Sequence, residues 1–211
     1  MMAEQKKKQR SEEQTDRSYR RAYTLIQPLF HLLFPFRRVH AERIPDRSVL
    51  VCPNHFSDLD PLTVCFALPR DSGLRVMAKQ ELMAVPILGR LLKRWGIFGV
   101  KRGNSDVGAI KTAMRHLKAG HKLLMFPEGT RVKEGEENDG KTGAIMLALR
   151  TGTPIMPCYC EKRKRPFQRT AIVFGEPYMV ETEGKKATPR EYKERAEELI
   201  QRIYALKEEL P

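Results

Sequence analysis

Ser48-Val49-Leu50-Val51-Cys52-Pro53-Asn54-His55-Phe56-Ser57-Asp58-Leu59-Asp60-Pro61, followed by Leu62-Thr63-Val64-Cys65-Phe66-Ala67-Leu68, reads as a strand, a polar loop and a helix in succession. Residues 48–52 form a short apolar, β-branched run bounded by turn residues, the pattern of a buried strand. Asp60-Pro61 reads as a helix N-cap and first helical position, where a proline gives up no hydrogen bond. The alternation then repeats. Further β-prone runs occur at 74–78 (LRVMA), 96–100 (GIFGV), 122–126 (KLLMF), 154–159 (PIMPCY) and 170–174 (TAIVF), with helical stretches between them. This order predicts an α/β fold with a mainly parallel or mixed sheet covered by helices.

Two helices can be placed by their end signals. Ile110, Ala113, Met114 and Leu117 keep helical spacing, with Ser105 or Asp106 as N-cap and Gly120 as the stop. Thr188-Pro189-Arg190-Glu191 has capping-box spacing, and Tyr192, Ala196, Leu199, Ile200, Ile203 and Leu206 fall on one apolar face. Residues 39–211 are expected to form one domain with this helix closing it.

The N-terminal part differs. Residues 1–17 are polar and charged and read as a mobile tail. Residues 18–38 hold the most hydrophobic segment, YTLIQPLFHLLFPF, bracketed by Arg20-Arg21 and Arg37-Arg38. A helix over residues 23–36 would reach on the order of 21 Å against roughly 30 Å of hydrocarbon, and Pro28 and Pro35 would interrupt it. The expectation is a peripheral or monotopic element with Leu25, Ile26, Leu29, Phe30, Leu33 and Phe34 in acyl chains and arginines at phosphate level. The competing reading is a helix that packs its apolar stripe on the domain itself.

The 211 residues carry 39 Lys plus Arg against 26 Asp plus Glu, and the net charge of +13 calls for an anionic partner. Without an apolar run of about twenty residues, a multi-span membrane protein is excluded. The four cysteines show no C-x-x-C spacing and read as reduced core thiols, and the N-terminus lacks the apolar core of a secretory signal. A cytosol-facing location is expected.

Gly135 to Thr142 fits the phosphate-loop pattern G-x-x-x-x-G-K-[ST] letter for letter. Glu136, Glu137 and Asp139 would put negative charge where amides should face a triphosphate, and the preceding strand ends near Phe126, so nucleotide binding is set aside. His55 with Asp60, at the carboxyl end of a strand, offers a base and an orienting acid. In a continuous helix i and i+5 point about 140° apart, so the two meet only if a turn intervenes. Otherwise Asp60 merely caps its helix. Phe126-Pro127-Glu128-Gly129-Thr130-Arg131 follows another apolar strand and falls on the same sheet edge, where an Arg beside a Gly-permitted tight backbone suits a phosphate.

Together these motifs resemble the glycerolipid acyltransferases, in particular the 1-acylglycerol-3-phosphate (lysophosphatidate) acyltransferase family. Four blocks lie in order: Asn54-His55 through Asp60, Gly96 through Arg102, Phe126 through Arg131, and Thr153 through Pro157, with Lys79 to Leu82, Pro86 and Gly89 also similar. Gly99 and Lys101 depart mildly from the family pattern. The resemblance implies an acyltransferase domain over residues 39–211 that transfers an acyl chain from acyl-CoA or acyl-carrier protein to the sn-2 hydroxyl of lysophosphatidate. It implies no metal and no cofactor. His55 would be the base and Asp60 its orienting partner, with donors for the oxyanion among Glu128, Gly129 and Thr130. Arg131, Arg102 and Lys79 would hold the phosphate. Acceptors such as another lysophospholipid or glycerol-3-phosphate stay open. A non-enzymatic basic protein is the rival from another class, but the interleaved aromatics of a nucleic-acid surface are missing, so no nucleic acid is expected. The run Lys162 to Arg165, with Arg169, reads first as a solvated charge run and otherwise as a contact for anionic lipid or carrier.

Overall fold

The computed structural model describes residues 2–101, 106–131, 140–162, 165–184 and 186–211, with side chains from residue 9 onward. Helix α1 (Met2–Leu33) leads into strand β1 (Phe36–Val39). The quoted stretch supplies β2 (Leu50–Pro53) and α2 (Asp60–Ala67). Next come β3 (Arg75–Lys79), two short helices α3 (Gln80–Ala84) and α4 (Leu88–Arg94), and β4 (Ile97–Val100). Then follow α5 (Val107–Lys118), the two-residue β5 (Leu123–Leu124), α6 (Gly143–Thr151), β6 (Ile155–Cys160), β7 (Thr170–Phe174) and α7 (Pro189–Ala205).

The seven strands make one sheet in the order β1-β7-β6-β2-β5-β3-β4. Only the β6–β7 pair is antiparallel, so β2 through β6 share one direction and β1 and β7 share the other. Strand alternation sorts the core into two layers. Val49 and Val51 face α1 and α2, meeting Val64, Phe66 and Phe30. Leu50 and Cys52 face the other way, onto Ala113, Leu117, Ile145, Leu147 and Leu199 of α5, α6 and α7. The expected α/β sheet covered by helices is therefore what forms. The end signals act as read: Asp106 caps α5 by accepting from Ala109 N–H, and Thr188 with Glu191 closes a full capping box on α7.

The N-terminal region departs from its sequence reading. Hydropathy changes near residue 17, but the backbone does not break there, and α1 runs through residues read as a tail. Its first half is tied down by charge. Arg75, only 1% exposed, donates to Asp16 Oδ1 at 2.7 Å and to the Leu74 carbonyl at 3.1 Å, and Glu12 lies 3.9 Å from His121. Pro28 sits inside the helix without ending it. The lost hydrogen bond is offset by packing on either side, with Tyr23 edge-on to Phe66 and Phe30 5.2 Å from the same ring. Phe36 is not helical but opens an edge strand, so Arg37 and Arg38 project from β1.

The two sequence readings of this helix divide it between them. Tyr19, Tyr23, Phe30 and Phe34 pack on the core, which removes Phe30 and Phe34 from the set expected in acyl chains. Leu25, Ile26, Leu29 and Leu32 stay exposed on the other side. Among the described residues, no helix is long and apolar enough to cross a membrane.

Gly89 shows why the residues before β4 are so particular: a Cβ there would overlap the Met83 carbonyl, so α3 and α4 meet only through a glycine. The docking of α1 gives a direct test. Asp16→Ala leaves a buried guanidinium without its carboxylate and should lower the unfolding free energy by about 3 kcal/mol. Urea denaturation measures this, and a loss below about 0.5 kcal/mol, the range of neutral surface changes, would show that the first half of α1 is not held.

Candidate active site

Both motif loops leave the carboxyl ends of neighbouring strands, 54–59 after β2 and 126–131 after β5, and meet there. The turn required between His55 and Asp60 is present. Ser57 carbonyl accepts from Asp60 N–H at 3.0 Å, and α2 begins at Asp60 itself. The side chain of Asp60 is not the expected N-cap, since Leu59 holds that position. The carboxylate reaches back into the loop instead. Its Oδ2 lies 3.2 Å from His55 Nδ1 and accepts from Phe56 N–H and Ser57 N–H at 2.6 Å each.

Asp60 is fully buried and His55 nearly so. An ionised carboxylate accepts only, so Nδ1 carries the ring proton and Nε2 keeps its lone pair. The imidazole is fixed from the flat side too, stacked 4.2 Å from the Phe126 ring.

Glu128 is the second buried carboxylate. Its Oε2 accepts from His55 N–H and its Oε1 from the Tyr204 hydroxyl, both at 2.8 Å. Burial pushes its carboxyl up to about 6, while the bonds from Tyr204 and His55 N–H act in the opposite direction. Burial and the neighbouring Glu128 raise the Tyr204 phenol, which keeps that hydroxyl a donor across ordinary pH. Glu128 thus ties the second loop to the backbone of the first and both to α7, and it acts on backbone position.

The residues expected to supply oxyanion donors separate. Gly129, at φ +75°, spends its N–H on the Phe126 carbonyl at 3.1 Å. Thr130 N–H makes no such bond among the described residues. Arg131 lies on this edge but its Nη1 is 2.6 Å from Asp58 Oδ2, an exposed pair bridging the two loops. Lys79 ends β3, two strand spacings or about 10 Å from β2, and lies 3.7 Å from Glu81. Arg102 lies outside the described residues, as does most of the 135–142 phosphate-loop match. Gly140 is within them, packed towards Ile200.

Asn54 and Tyr204 do work that the sequence did not indicate. Asn54 donates to the Cys160 carbonyl at 3.0 Å and accepts from Cys160 N–H at 2.6 Å, fastening the loop to β6. Nothing local marks Tyr204, whose partner Glu128 is 76 residues away. No disulfide joins the cysteines among the described residues, and burial raises the thiols of Cys52, Cys65 and Cys158, so these three stay protonated and offer no thiolate. Among the described residues, no three His, Cys, Asp or Glu side chains converge as a metal site would need.

The two loops therefore bring a buried, hydrogen-bonded His55–Asp60 pair to the carboxyl edge of the sheet. The chain is 34% identical over 122 residues to 1-acyl-sn-glycerol-3-phosphate acyltransferase of Borreliella burgdorferi, a match covering 56% of this chain and 47% of that protein. It is 30% identical over 132 residues to the chloroplastic LPAT1 1-acyl-sn-glycerol-3-phosphate acyltransferase of Arabidopsis thaliana, covering 59% and 36%. The match thus spans less than half the length of either relative. The crystal structure of PlsC, the 1-acyl-sn-glycerophosphate acyltransferase of Thermotoga maritima, superposes with TM-score 0.63 at 25% identity over 93% of this chain and 79% of that one. The model of the Acyltransferase family matches residues 36–161, more than half of the sequence and all of both motif loops, and the chain belongs to that family.

Proposed function

We propose that the chain moves an acyl group from a thioester to the sn-2 hydroxyl of lysophosphatidate, giving phosphatidate and a free thiol, while docked on an anionic membrane surface. The observation that carries this reading is the His55–Asp60 contact, which leaves Nε2 of a nearly buried imidazole as a base at the carboxyl end of β2. The named activity of the relatives supports the choice of acceptor.

His55 Nε2 takes the hydroxyl proton as the acceptor oxygen bonds to the thioester carbonyl carbon and the carbonyl electron pair moves onto oxygen. Asp60 steadies the imidazolium that forms. Thr130 N–H, which makes no backbone bond among the described residues, is one candidate donor to the oxyanion. Collapse breaks the C–S bond, and the leaving thiolate takes the proton back from His55. Acyl-CoA and acyl-carrier protein present the same thioester to this chemistry. A phosphate on the acceptor carries more charge than the Asp58 carboxylate and draws Arg131 from it, with Lys79 at the end of β3 and, on the strength of the resemblance alone, Arg102 adding positive charge.

The membrane reading rests on Leu25, Leu29 and Leu32, spaced i, i+4 and i+7 on the face of α1 turned from the core and 60% or more exposed.

His55→Ala removes the base and should lower turnover 10²–10⁴-fold, on the scale of general-base catalysis, with little change in the thermal midpoint. Turnover above about a tenth of wild type would remove the dyad mechanism. Arg131→Ala should raise the apparent KM for lysophosphatidate at least about ten-fold while leaving that for the acyl donor within about two-fold, since one charge-assisted contact is lost. Equal effects on both substrates would place Arg131 in loop architecture alone. Replacing Leu25, Leu29 and Leu32 by serine leaves the core-facing residues of α1 in place and should release the protein from anionic vesicles, measured by co-sedimentation. Unchanged sedimentation would move the anchor elsewhere.

A further inference from the structure

Away from the catalytic edge, α1 and the turn after α2 enclose an open hollow of about 640 Å³ lined by Arg17, Arg20, Arg21, Thr24, Leu25 and Arg70. Arg17, Arg20, Arg21 and Thr24 stand at i, i+3, i+4 and i+7, so one helix face presents all four. Four guanidinium groups here meet little compensating charge. Asp71 is shared between Arg20 and Arg70 at 3.3 Å each, and the nearby Asp16 is committed to Arg75. Arg17 and Arg21 have no carboxylate partner among the described residues. Like charges at i and i+4 work against a helix, so the arrangement gains only when an anion enters.

We propose that this hollow is a headgroup site for a phosphomonoester lipid, separate from the catalytic centre. Three observations fix the ligand class. The charge left over after Asp71 suits a phosphomonoester, at about −1.5 to −2, better than the single charge of a phosphodiester. Arginines give planar, bidentate donors to phosphate oxygens. The hollow opens onto Leu25, 77% exposed, where the apolar stripe through Leu29 and Leu32 begins, and an acyl chain below the headgroup would lie against that stripe. A free phosphate would make no use of it. The site is distinct because Arg70 follows α2 at the end remote from Asp60, on the order of 12 Å along an eight-residue helix. The proposal rests on the membrane docking of α1. It gives the site a purpose: holding the enzyme where lipids with a terminal phosphate accumulate.

The test is co-sedimentation of the full chain with phosphatidylcholine vesicles containing either phosphatidate or phosphatidylglycerol, matched in surface potential. Wild type should partition about five-fold or more in favour of phosphatidate, the scale expected for one extra arginine–phosphate contact. The pair Arg17→Gln with Arg21→Gln should abolish that preference and keep a thermal midpoint within about 2 °C of wild type. Lys111→Gln with Arg115→Gln removes the same charge from a second basic hollow, on α5, and should retain it. Equal wild-type partition at matched potential, or an equal loss in the α5 pair, would overturn the site and reduce the effect to general electrostatics. Release from phosphatidate vesicles by roughly 10 mM inorganic phosphate at constant ionic strength would overturn the lipid assignment. Failure to bind any anionic vesicle would instead sink the docking of α1. None of these readouts depends on acyl transfer, so the proposal and the assigned reaction fail separately.

Discussion

A carboxylate without solvent exposure costs several kcal/mol unless it is paired and hydrogen-bonded, and Asp60 is such a group at the centre of this fold. The loop before it takes its shape from that demand. To bring the Phe56 and Ser57 N–H groups onto one oxygen, the chain must turn sharply after β2, and the same turn swings the His55 ring into contact. The charge that fixes the imidazole thus also fixes the backbone carrying it. An amide at position 60 would keep a hydrogen-bond acceptor but lose the charge that stabilises an imidazolium, which is why orientation and electrostatics are inseparable here.

Glu128 extends that logic from one loop to the whole sheet edge. Strands β2 and β5 are adjacent, but β5 is only two residues long and contributes little ladder to hold the loop after it. The buried Glu128 carboxylate replaces the missing ladder bonds, with His55 N–H on one oxygen and Tyr204 on the other. The last helix therefore takes part in the site although it supplies no reacting group. Phe56, Tyr159 and Tyr204 pack edge-to-face around this junction and keep it apolar, which is also what raises the Glu128 carboxyl.

Much of this was legible in the sequence because it is local. The strands from β2 onward and the caps of α5 and α7 depend on side-chain periodicity and on residues three or four apart, and those signals survive without tertiary information. The His55–Asp60 meeting was legible only as a condition, since spacing states that a turn is needed and not that it forms. Strand β1 was hidden because Phe36-Arg37-Arg38-Val39 continues an apolar run, and only the partner β7 makes it a strand. The docking of α1 was hidden for the same reason. Asp16 looks like one charge among many until Arg75, 59 residues away, is found buried beneath it. Tyr204 and Asn54 act across 76 and 106 residues, beyond the reach of any pattern along the chain.

Helix α1 also relates the proposed membrane face to the reaction. Its core side ends beside β1, where Phe36 pairs with Thr170 at the sheet edge to which β6 delivers Cys160 and on which His55 lies. Phe167 and Thr170, before and at the start of β7, bond the Leu33 and Pro35 carbonyls at that edge. Lys162 sits 5.8 Å over the Phe56 ring beside His55, and Phe167 N–H donates to the Leu33 carbonyl at 2.6 Å at the end of α1. Lys162 and Phe167 therefore touch, respectively, the loop that carries His55 and the last turn of α1. Phe167 is 72% exposed there, with Leu32 at 66% on the neighbouring turn, so apolar surface continues past the helix end. A bilayer that accepts the stripe would meet the sheet edge carrying His55 along the same side. Under the proposed function, a lysophospholipid would present its hydroxyl to His55 with its acyl chain still in the leaflet, a route that requires no spanning helix.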